Sequence, residues 1–168
     1  MDINGNAQPM MDVVLRFFQE EQWNYQKLEG KPVIRAGFRG VHGTWVCFAR
    51  VEEEKKQFLF HSLLGMNIPP QYRALVVEYI TRVNYCLTVG NFEMDYDSGD
   101  IRFRTSVETP DGELSVAIVR CLAYTNVHTI DHYFPGVLAV MHGGLSPEAA
   151  LARIEAQLVG SAANLAQF

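Results

Sequence analysis

A predicted β-hairpin followed at once by a long apolar helix, within residues 95–144, constrains the fold of this chain more than any other feature. Residues 101–105 alternate apolar and polar side chains, as a strand with one buried face does. A long helix is predicted to start near Gly112 or Glu113. Its apolar residues, from Leu114 onward, lie on two sides of the helix, so two neighbouring elements must cover it. This unit predicts an α+β domain in which the other segments pack around it.

The hairpin has a predicted register. With residues 98–99 as a two-residue turn, Glu93 faces Arg104 and Asp95 faces Arg102. The apolar residues of the two strands then meet on the opposite side of the hairpin. Opposite charges and apolar residues are thereby sorted onto separate faces, which favours this register.

Three strand-like runs lie earlier in the chain, at residues 33–38, 44–51 and 57–64. β-Branched and aromatic residues dominate them, and short glycine-containing or charged links separate them. Short links favour antiparallel pairing. Both faces of these strands are partly apolar, so one face should pack on helices and the other requires a second cover or a partner subunit.

Helical patterns surround the strands. An amphipathic helix is predicted at residues 10–22, a second opens at Pro69-Pro70, and a last one follows Ser146 to about Gly160. Pro135 predicts a kink or break in the long third helix. The predicted element order is α-β-β-β-α-β-β-α-α, with one antiparallel five-stranded sheet. The predicted partition is a flexible tail at 1–9, a single domain at 10–160 and a second tail at 161–168.

Composition narrows the classes of function. The chain has 168 residues and a net charge of −5, which gives no general attraction to nucleic acid or to anionic membranes. Cys47, Cys86 and Cys121 form no C-x-x-C pair and are predicted to be structural. The most apolar run, 114–130, is interrupted by Arg120, Asn126 and His128 and predicts a core helix rather than a membrane span. Together with a start that lacks the features of a signal peptide, this predicts a cytoplasmic protein.

The histidine pair His128 and His132 is the strongest candidate for chemistry. Four residues apart on a helix, the two side chains face the same way, as two zinc ligands must. The zinc-protease pattern needs a glutamate directly after the first histidine, and Thr129 occupies that position. The favoured interpretation is that these histidines are structural. The alternative is a ligand-binding or metal-binding domain, or an enzyme, with a site near His128 and His132.

Two further patterns suggest no catalysis. Gly37, Gly40 and Gly43 repeat at three-residue steps, but they lie between two strands and no helix follows, so they are predicted to be hairpin glycines and not a phosphate loop. No serine lies in a nucleophile signature such as G-x-S-x-G. The sequence therefore predicts no catalytic residue, no cofactor and no metal.

Five arginines lie on predicted strands: Arg35, Arg39, Arg50, Arg102 and Arg104. They are the candidate partner-binding face. The alternative is a solvated sheet face whose arginines pair with cross-strand acids. Nucleic acid is the least favoured partner, because bases stack on exposed aromatic residues and Phe103 is predicted to point to the opposite face.

Several segments of the second half resemble the YbjN-like family of bacterial proteins: Gly99 to Thr105, Glu113-Leu114, Tyr124 to Val127, Asp131 to Gly136 and Gly143 to Ala149. The motif match covers about residues 87–155, and the order of elements is similar to the type III secretion chaperone-like fold. Members of the family are labelled regulators of sensory transduction, and no catalytic residues are attached to them.

The resemblance implies a non-enzymatic protein-interaction module with a chaperone-like or regulatory role. Secretion chaperones are small acidic cytoplasmic homodimers that hold a partner polypeptide. We therefore expect a homodimer that binds a protein partner and uses neither nucleic acid nor a membrane. The long segment around Pro135 and the further helix differ from a dedicated secretion chaperone.

Overall fold

The computed structural model describes residues 8–110 and 112–165, with side chains described as far as residue 157. Its elements follow the predicted order with one additional strand. They are α1 (Met10–Glu20), β1 (Tyr25–Lys27), β2 (Val33–Arg39), β3 (Thr44–Glu52), β4 (Gln57–Asn67), α2 (Pro70–Cys86), β5 (Asn91–Met94), β6 (Asp100–Glu108), α3 (Val116–Met141) and α4 (Pro147–Leu165). The α+β prediction is confirmed.

The strands form one antiparallel sheet in the order β1-β2-β3-β4-β6-β5. The sheet has six strands rather than the predicted five, because β1 was not predicted. β1 is three exposed residues without apolar alternation, so it carries no strand signal in the sequence. Only its pairing with β2, Tyr25 opposite Ala36, makes it a strand.

All the helix contacts with the sheet are made on one of its faces. Buried side chains alternate with more exposed ones along β3, β4 and β6, as one-sided packing requires. The largest of the fully buried strand residues are Trp45, Phe58, Phe60 and Phe103. The predicted direction of Phe103, into the core, is therefore confirmed.

A buried asparagine connects α3 to the middle of the sheet. Asn126 Nδ2 donates to the carbonyl of Phe60 at 2.9 Å and to that of Phe103 at 3.1 Å. Thr105 Oγ1 donates in turn to the carbonyl of Leu122 at 3.0 Å. These bonds fix the position of α3 over β4 and β6, because a shift of the helix would leave buried polar groups without hydrogen-bond partners.

Helix α3 begins later than predicted and is not broken by its proline. Ser115 caps it, with Oγ accepting from the Ile118 N–H at 3.2 Å. The helix continues through Pro135 to Met141. The predicted break is therefore wrong, because a residue outside the helix replaces the hydrogen bond that the proline cannot make.

Pro135 has no N–H to donate to the carbonyl of Asp131, four residues earlier. His42, in the β2–β3 turn, donates from Nδ1 to that carbonyl at 3.0 Å. The freed acceptor is thereby satisfied from outside the helix, and α3 continues past the proline to Met141 as one helix.

The β5–β6 hairpin has a different register from the predicted one. Glu93 lies opposite Arg102 and Met94 opposite Ile101, a shift of two residues. Asp95 Oδ1 accepts the backbone N–H groups of Asp97 and Ser98. These bonds start the turn at Asp95, so it is longer than the predicted two-residue turn at 98–99. A shift of two keeps every side chain on its predicted face.

The cysteines differ in their surroundings. Cys47 is buried beside Ser62, with Sγ 3.3 Å from Oγ, and burial raises the pKa of its thiol to about 11. Cys86 and Cys121 are exposed, so their predicted structural placement is wrong. The buried stripe of α3 runs through Val119 and Ala123 instead.

Two remaining boundaries concern the ends of the chain. Helix α4 extends to Leu165, beyond the predicted end at about Gly160. Residues 1–7 and 166–168, within the predicted tails, lie outside the described residues. In the part of the chain that is described, no helix combines the length and hydrophobicity that a bilayer span requires.

Candidate functional site: the outer face of the sheet

The face of the sheet opposite the helices is the candidate functional surface, and we call it the outer face. It consists of the strand positions that alternate with the buried ones on β2 to β6. Its side chains are Val33, Arg35, Arg39, Thr44, Val46, Phe48, Arg50, Glu52, Gln57, Leu59, His61, Leu63, Asn91, Glu93, Asp100, Arg102, Arg104, Ser106 and Glu108.

Half-buried apolar residues line the middle of the outer face. Val46 lies opposite Leu63 on the neighbouring strand, while Phe48 and Leu59 continue the stripe along β3 and β4. We call these four residues the apolar stripe. Neighbouring side chains on the same sheet face contact one another, and an apolar patch without cover is typical of a surface that binds a partner.

Arginines lie on both sides of the apolar stripe. The pairing register places all five predicted arginines on the outer face: Arg35, Arg39, Arg50, Arg102 and Arg104. An apolar centre with a charged rim is the usual anatomy of a protein-binding surface. The register shows that the five share a face; their role in binding stays a prediction.

Two acidic residues pair with three of these arginines. Glu93 accepts from Arg102 Nε at 2.6 Å and from Arg104 at 2.9 Å. Glu52 pairs with Arg50. The predicted cross-strand pair Glu93–Arg104 therefore exists, although by diagonal contact, whereas Asp95 does not pair with Arg102. Exposed pairs of this kind contribute about 0–1 kcal/mol each, so they adjust the charge of the face more than its stability.

Arg35 and Arg39, both on β2, differ from the other three. Both side chains are exposed. Among the described residues no carboxylate lies within ion-pairing distance of either guanidinium. The positive charge of the outer face is therefore concentrated at its β2 side.

His61 lies at the centre of the outer face. The register places it between Phe48 and Arg104. Burial, followed by the charge of Arg102 and of the other nearby arginines, lowers its pKa to about 4. The ring is therefore neutral at pH 7 and adds no charge to the face.

The two edges of the sheet are less suited to a partner. Asn84 of α2 closes the β5 edge, because its Nδ2 donates to the Phe92 carbonyl at 3.0 Å and its Oδ1 accepts the Phe92 N–H at 2.8 Å. Both outward backbone groups of Phe92 are thus satisfied. The other edge strand, β1, is only three residues long.

The predicted histidine pair is not organised as a metal site. His128 is exposed and stacks on Tyr124, with ring centroids 5.8 Å apart. His132 is half-buried, and burial lowers its pKa. Across residues 8–110 and 112–165, no group of three or more His, Cys, Asp or Glu side chains could hold a metal ion.

The residue between the two histidines has a structural role. Asp131 accepts the backbone N–H groups of Val41 at 2.8 Å and His42 at 2.9 Å. Gly40 makes this contact possible, because a Cβ there would collide with the Asp131 carboxylate. The Gly40 N–H donates to the Gly43 carbonyl at 2.8 Å, which confirms these two as hairpin glycines, whereas Gly37 lies within β2.

The rest of segment 131–136, which carries much of the family resemblance, is structural as well. Tyr79 Oη donates to the Tyr133 carbonyl at 2.9 Å, and a side chain at Gly136 would collide with Tyr79. Tyr133 Oη donates to Glu155 at 2.7 Å. The segment therefore holds α3 against α2, α4 and the β2–β3 turn.

Reasoning from the sequence identified the arginines of the outer face but not its apolar stripe or His61. The partly apolar character of both strand faces was visible in the sequence. Which face the helices would leave uncovered was not, since that depends on the parity of each strand relative to the core.

The comparisons with known proteins agree with the fold. Residues 11–139 match the model of the YbjN family, described as "Putative bacterial sensory transduction regulator". The crystal structure of YbjN from E. coli has 9% sequence identity and a TM-score of 0.55, over 81% of this chain and 92% of that one. No curated protein matches the chain by sequence.

Two structures of complexes are also similar. A chain of the ExsC–ExsE complex has 10% identity and a TM-score of 0.52, over 79% of this chain and 94% of that one. A chain of the HopA1–SchA chaperone–effector complex has 12% identity and a TM-score of 0.47, over 70% of this chain and 86% of that one. At such identities the likeness shows the fold alone, and the chains of YbjN and of the ExsC–ExsE complex support the type III secretion chaperone-like fold that was predicted.

Proposed function

The chain belongs to the YbjN family, and we propose that it is a non-enzymatic protein-interaction module of the bacterial cytoplasm that holds a partner polypeptide on its outer face. Its role is chaperone-like or regulatory. The observation that carries the proposal is the apolar stripe, which the chain's own helices leave uncovered. Burying such a surface against a partner stabilises the complex by about 25 cal/mol per Å² of apolar area.

Two further findings support the proposal. The ExsC–ExsE complex has a chain of this fold bound to another protein. Asp131 and Tyr133, which flank the candidate histidine His132, are engaged in contacts between elements. Neither finding names the partner.

The test is a comparison of captured proteins. The double variant Phe48→Glu/Leu63→Glu places charge in the apolar stripe, at positions that are half-buried. The matched control, Val41→Glu/Tyr96→Glu, changes two exposed apolar residues outside the outer face, 88% and 58% exposed. Each tagged protein is incubated with lysate of the source organism, and captured proteins are identified by mass spectrometry.

We expect the wild type and the control to capture the same protein, and the stripe variant to lose it. Circular dichroism must show that all three are folded. Equal capture by the stripe variant would place the binding surface elsewhere.

We further propose that the chain is a homodimer and that the copies meet through α2. Leu75, Glu78, Arg82 and Tyr85 lie on one exposed stripe of this helix. An antiparallel two-fold pairing centred near residue 80 places Leu75 against Tyr85 and Glu78 against Arg82. This is the self-complementarity that a two-fold interface requires.

The outer face suits a second copy less well, because two-fold pairing there would bring arginine-rich surfaces together. Light scattering at micromolar concentration tests the dimer. We expect a dimer for the wild type and a monomer for Leu75→Arg/Tyr85→Arg. A monomeric wild type would contradict the proposal.

A further inference from the structure

Resting on the proposed function, we infer that the partner segment bound on the outer face is both apolar and acidic, and that its carboxylates contact Arg35 and Arg39. The occupant is a polypeptide with Asp or Glu beside aliphatic or aromatic residues.

The arginines of the outer face differ in whether an acidic residue of the chain pairs with them. Arg50, Arg102 and Arg104 already have acidic partners within the chain. Arg35 and Arg39 have none among the described residues, and both are exposed. A carboxylate of the partner therefore gains the most interaction energy at the β2 side, where it does not compete with an existing ion pair.

The surface between Arg35 and Arg39 is open. Gly37 separates them on β2 and faces Val46 of the apolar stripe. A Cβ at Gly37 would meet nothing within 4 Å, so the space above this glycine is open. Gly37 lies two residues from each arginine, and a strand rises about 3.3 Å per residue, so Arg35 and Arg39 are about 13 Å apart along β2 and flank an open notch above Gly37.

The notch and the stripe together define the order of contacts. An apolar side chain of the partner fits over Gly37 and against Val46. Acidic residues on either side of it then reach Arg35 and Arg39. The neighbouring Phe48 lies directly opposite Arg35 and extends the apolar contact toward β4.

Other occupants agree less well with these observations. A second copy paired two-fold about β2 would oppose Arg35 and Arg39 to their own copies, and like charges across an interface are unfavourable. Single-stranded nucleic acid binds on exposed aromatic platforms in a basic groove. The outer face has a single half-buried phenylalanine, Phe48, among its described positions, and the whole chain carries a net charge of −5.

The experiment uses the full chain as bait for a displayed library of random 12-residue peptides. Peptides that bind the support without the bait are removed by counter-selection. One enriched sequence is synthesised with a fluorescent label, together with a version in which Asn and Gln replace Asp and Glu. Binding is measured by fluorescence anisotropy at low and high NaCl.

We expect the enriched peptides to contain Asp or Glu next to apolar residues. Arg35→Glu/Arg39→Glu should weaken binding at least ~10-fold, as should the amide version of the peptide and high salt. The control variant Arg16→Glu/Arg153→Glu changes two exposed helix arginines and should bind with unchanged affinity. Circular dichroism establishes that both variants are folded.

Failure of the inference differs from failure of the proposed function. If enriched peptides lack acidic residues but lose binding in Phe48→Glu/Leu63→Glu, the outer face binds a partner and the inference is wrong. If no peptide depends on the apolar stripe, both are wrong. If labelled single-stranded DNA or RNA binds more tightly than the peptides at physiological salt, a nucleic acid and not an acidic segment is the occupant.

Discussion

At the scale of single residues, Asp131 shows that the residue between the two candidate histidines is structural. Its carboxylate accepts two backbone N–H groups of the β2–β3 turn, and its carbonyl accepts the His42 ring. The turn links two strands of the sheet, so Asp131 joins the sheet to α3. Replacing it should therefore affect stability, which distinguishes a structural role from a catalytic one.

We predict that Asp131→Ala lowers the free energy of unfolding by about 2–4 kcal/mol, because two N–H donors lose a charged acceptor in a partly buried site. Urea denaturation followed by circular dichroism measures the change. Asp97→Ala, in the exposed hairpin loop, is the matched control and should stay within about 0.5 kcal/mol of the wild type. A near-neutral Asp131→Ala would show that the turn is held by other contacts.

His61 makes stability depend on pH. Its pKa is about 4 in the folded chain against 6.5 for the unperturbed side chain. The unfolded state therefore takes up the proton first, so the contribution is complete above pH 6.5 and is lost as the pH falls toward 4. The carboxyl groups with lowered pKa, such as Glu93, act only at lower pH.

We predict that, between pH 7 and pH 5, the wild type loses roughly 1 kcal/mol more stability than His61→Gln, after allowance for solvent screening of a half-exposed group. Urea titrations at the two pH values measure the difference. His128→Gln changes an exposed histidine and should keep the dependence of the wild type. Identical pH dependence in the wild type and His61→Gln would be inconsistent with a depressed pKa at His61.

At the scale of elements, α3 shows how a neighbouring segment compensates for a proline. The sequence correctly predicts a long two-sided helix containing Pro135. It does not show that His42, far away in the chain, donates to the carbonyl that Pro135 leaves without a partner. The predicted break was wrong for that reason.

A double-mutant cycle tests this compensation. We predict that His42→Ala costs about 1 kcal/mol in the wild type and about half as much in Pro135→Ala, where the restored N–H supplies the Asp131 carbonyl. Urea denaturation of the four proteins gives the coupling energy. A coupling of zero would show that the His42 bond does not substitute for the missing one.

The β5–β6 hairpin marks a limit of local reasoning. Alternation determined which residues share a face, and Glu93 does pair with Arg104. The register was two residues off, because the side chain of Asp95 organises a longer turn. Arg73 of α2 holds that turn by donating to the carbonyls of Tyr96 and Asp97, a contact between segments that no local pattern contains.

At the scale of the whole molecule, the helices cover one face of the sheet and leave the other open. The stripe on α2 and the outer face are separate surfaces, so one can serve dimerisation while the other binds a partner. If α2 pairs two copies, stability depends on protein concentration by mass action.

We predict that the thermal midpoint of the wild type rises by a few degrees, about 2–6 °C, over a ~100-fold increase in protein concentration. The variant Leu75→Arg/Tyr85→Arg should show a midpoint independent of concentration. Differential scanning fluorimetry at both concentrations makes the comparison. A concentration-independent midpoint in the wild type would argue against the dimer.

The sequence by itself determined the order of the longer elements, the α+β class and the family, because alternation, helical periodicity and turn residues are local signals. It also placed the five arginines on strands. Only the tertiary structure decided the open face, the two-residue shift of the hairpin, the exposure of Cys86 and Cys121, and the unneutralised state of Arg35 and Arg39. Each of these depends on contacts between segments distant in the chain, and such contacts produce no periodic pattern in the sequence.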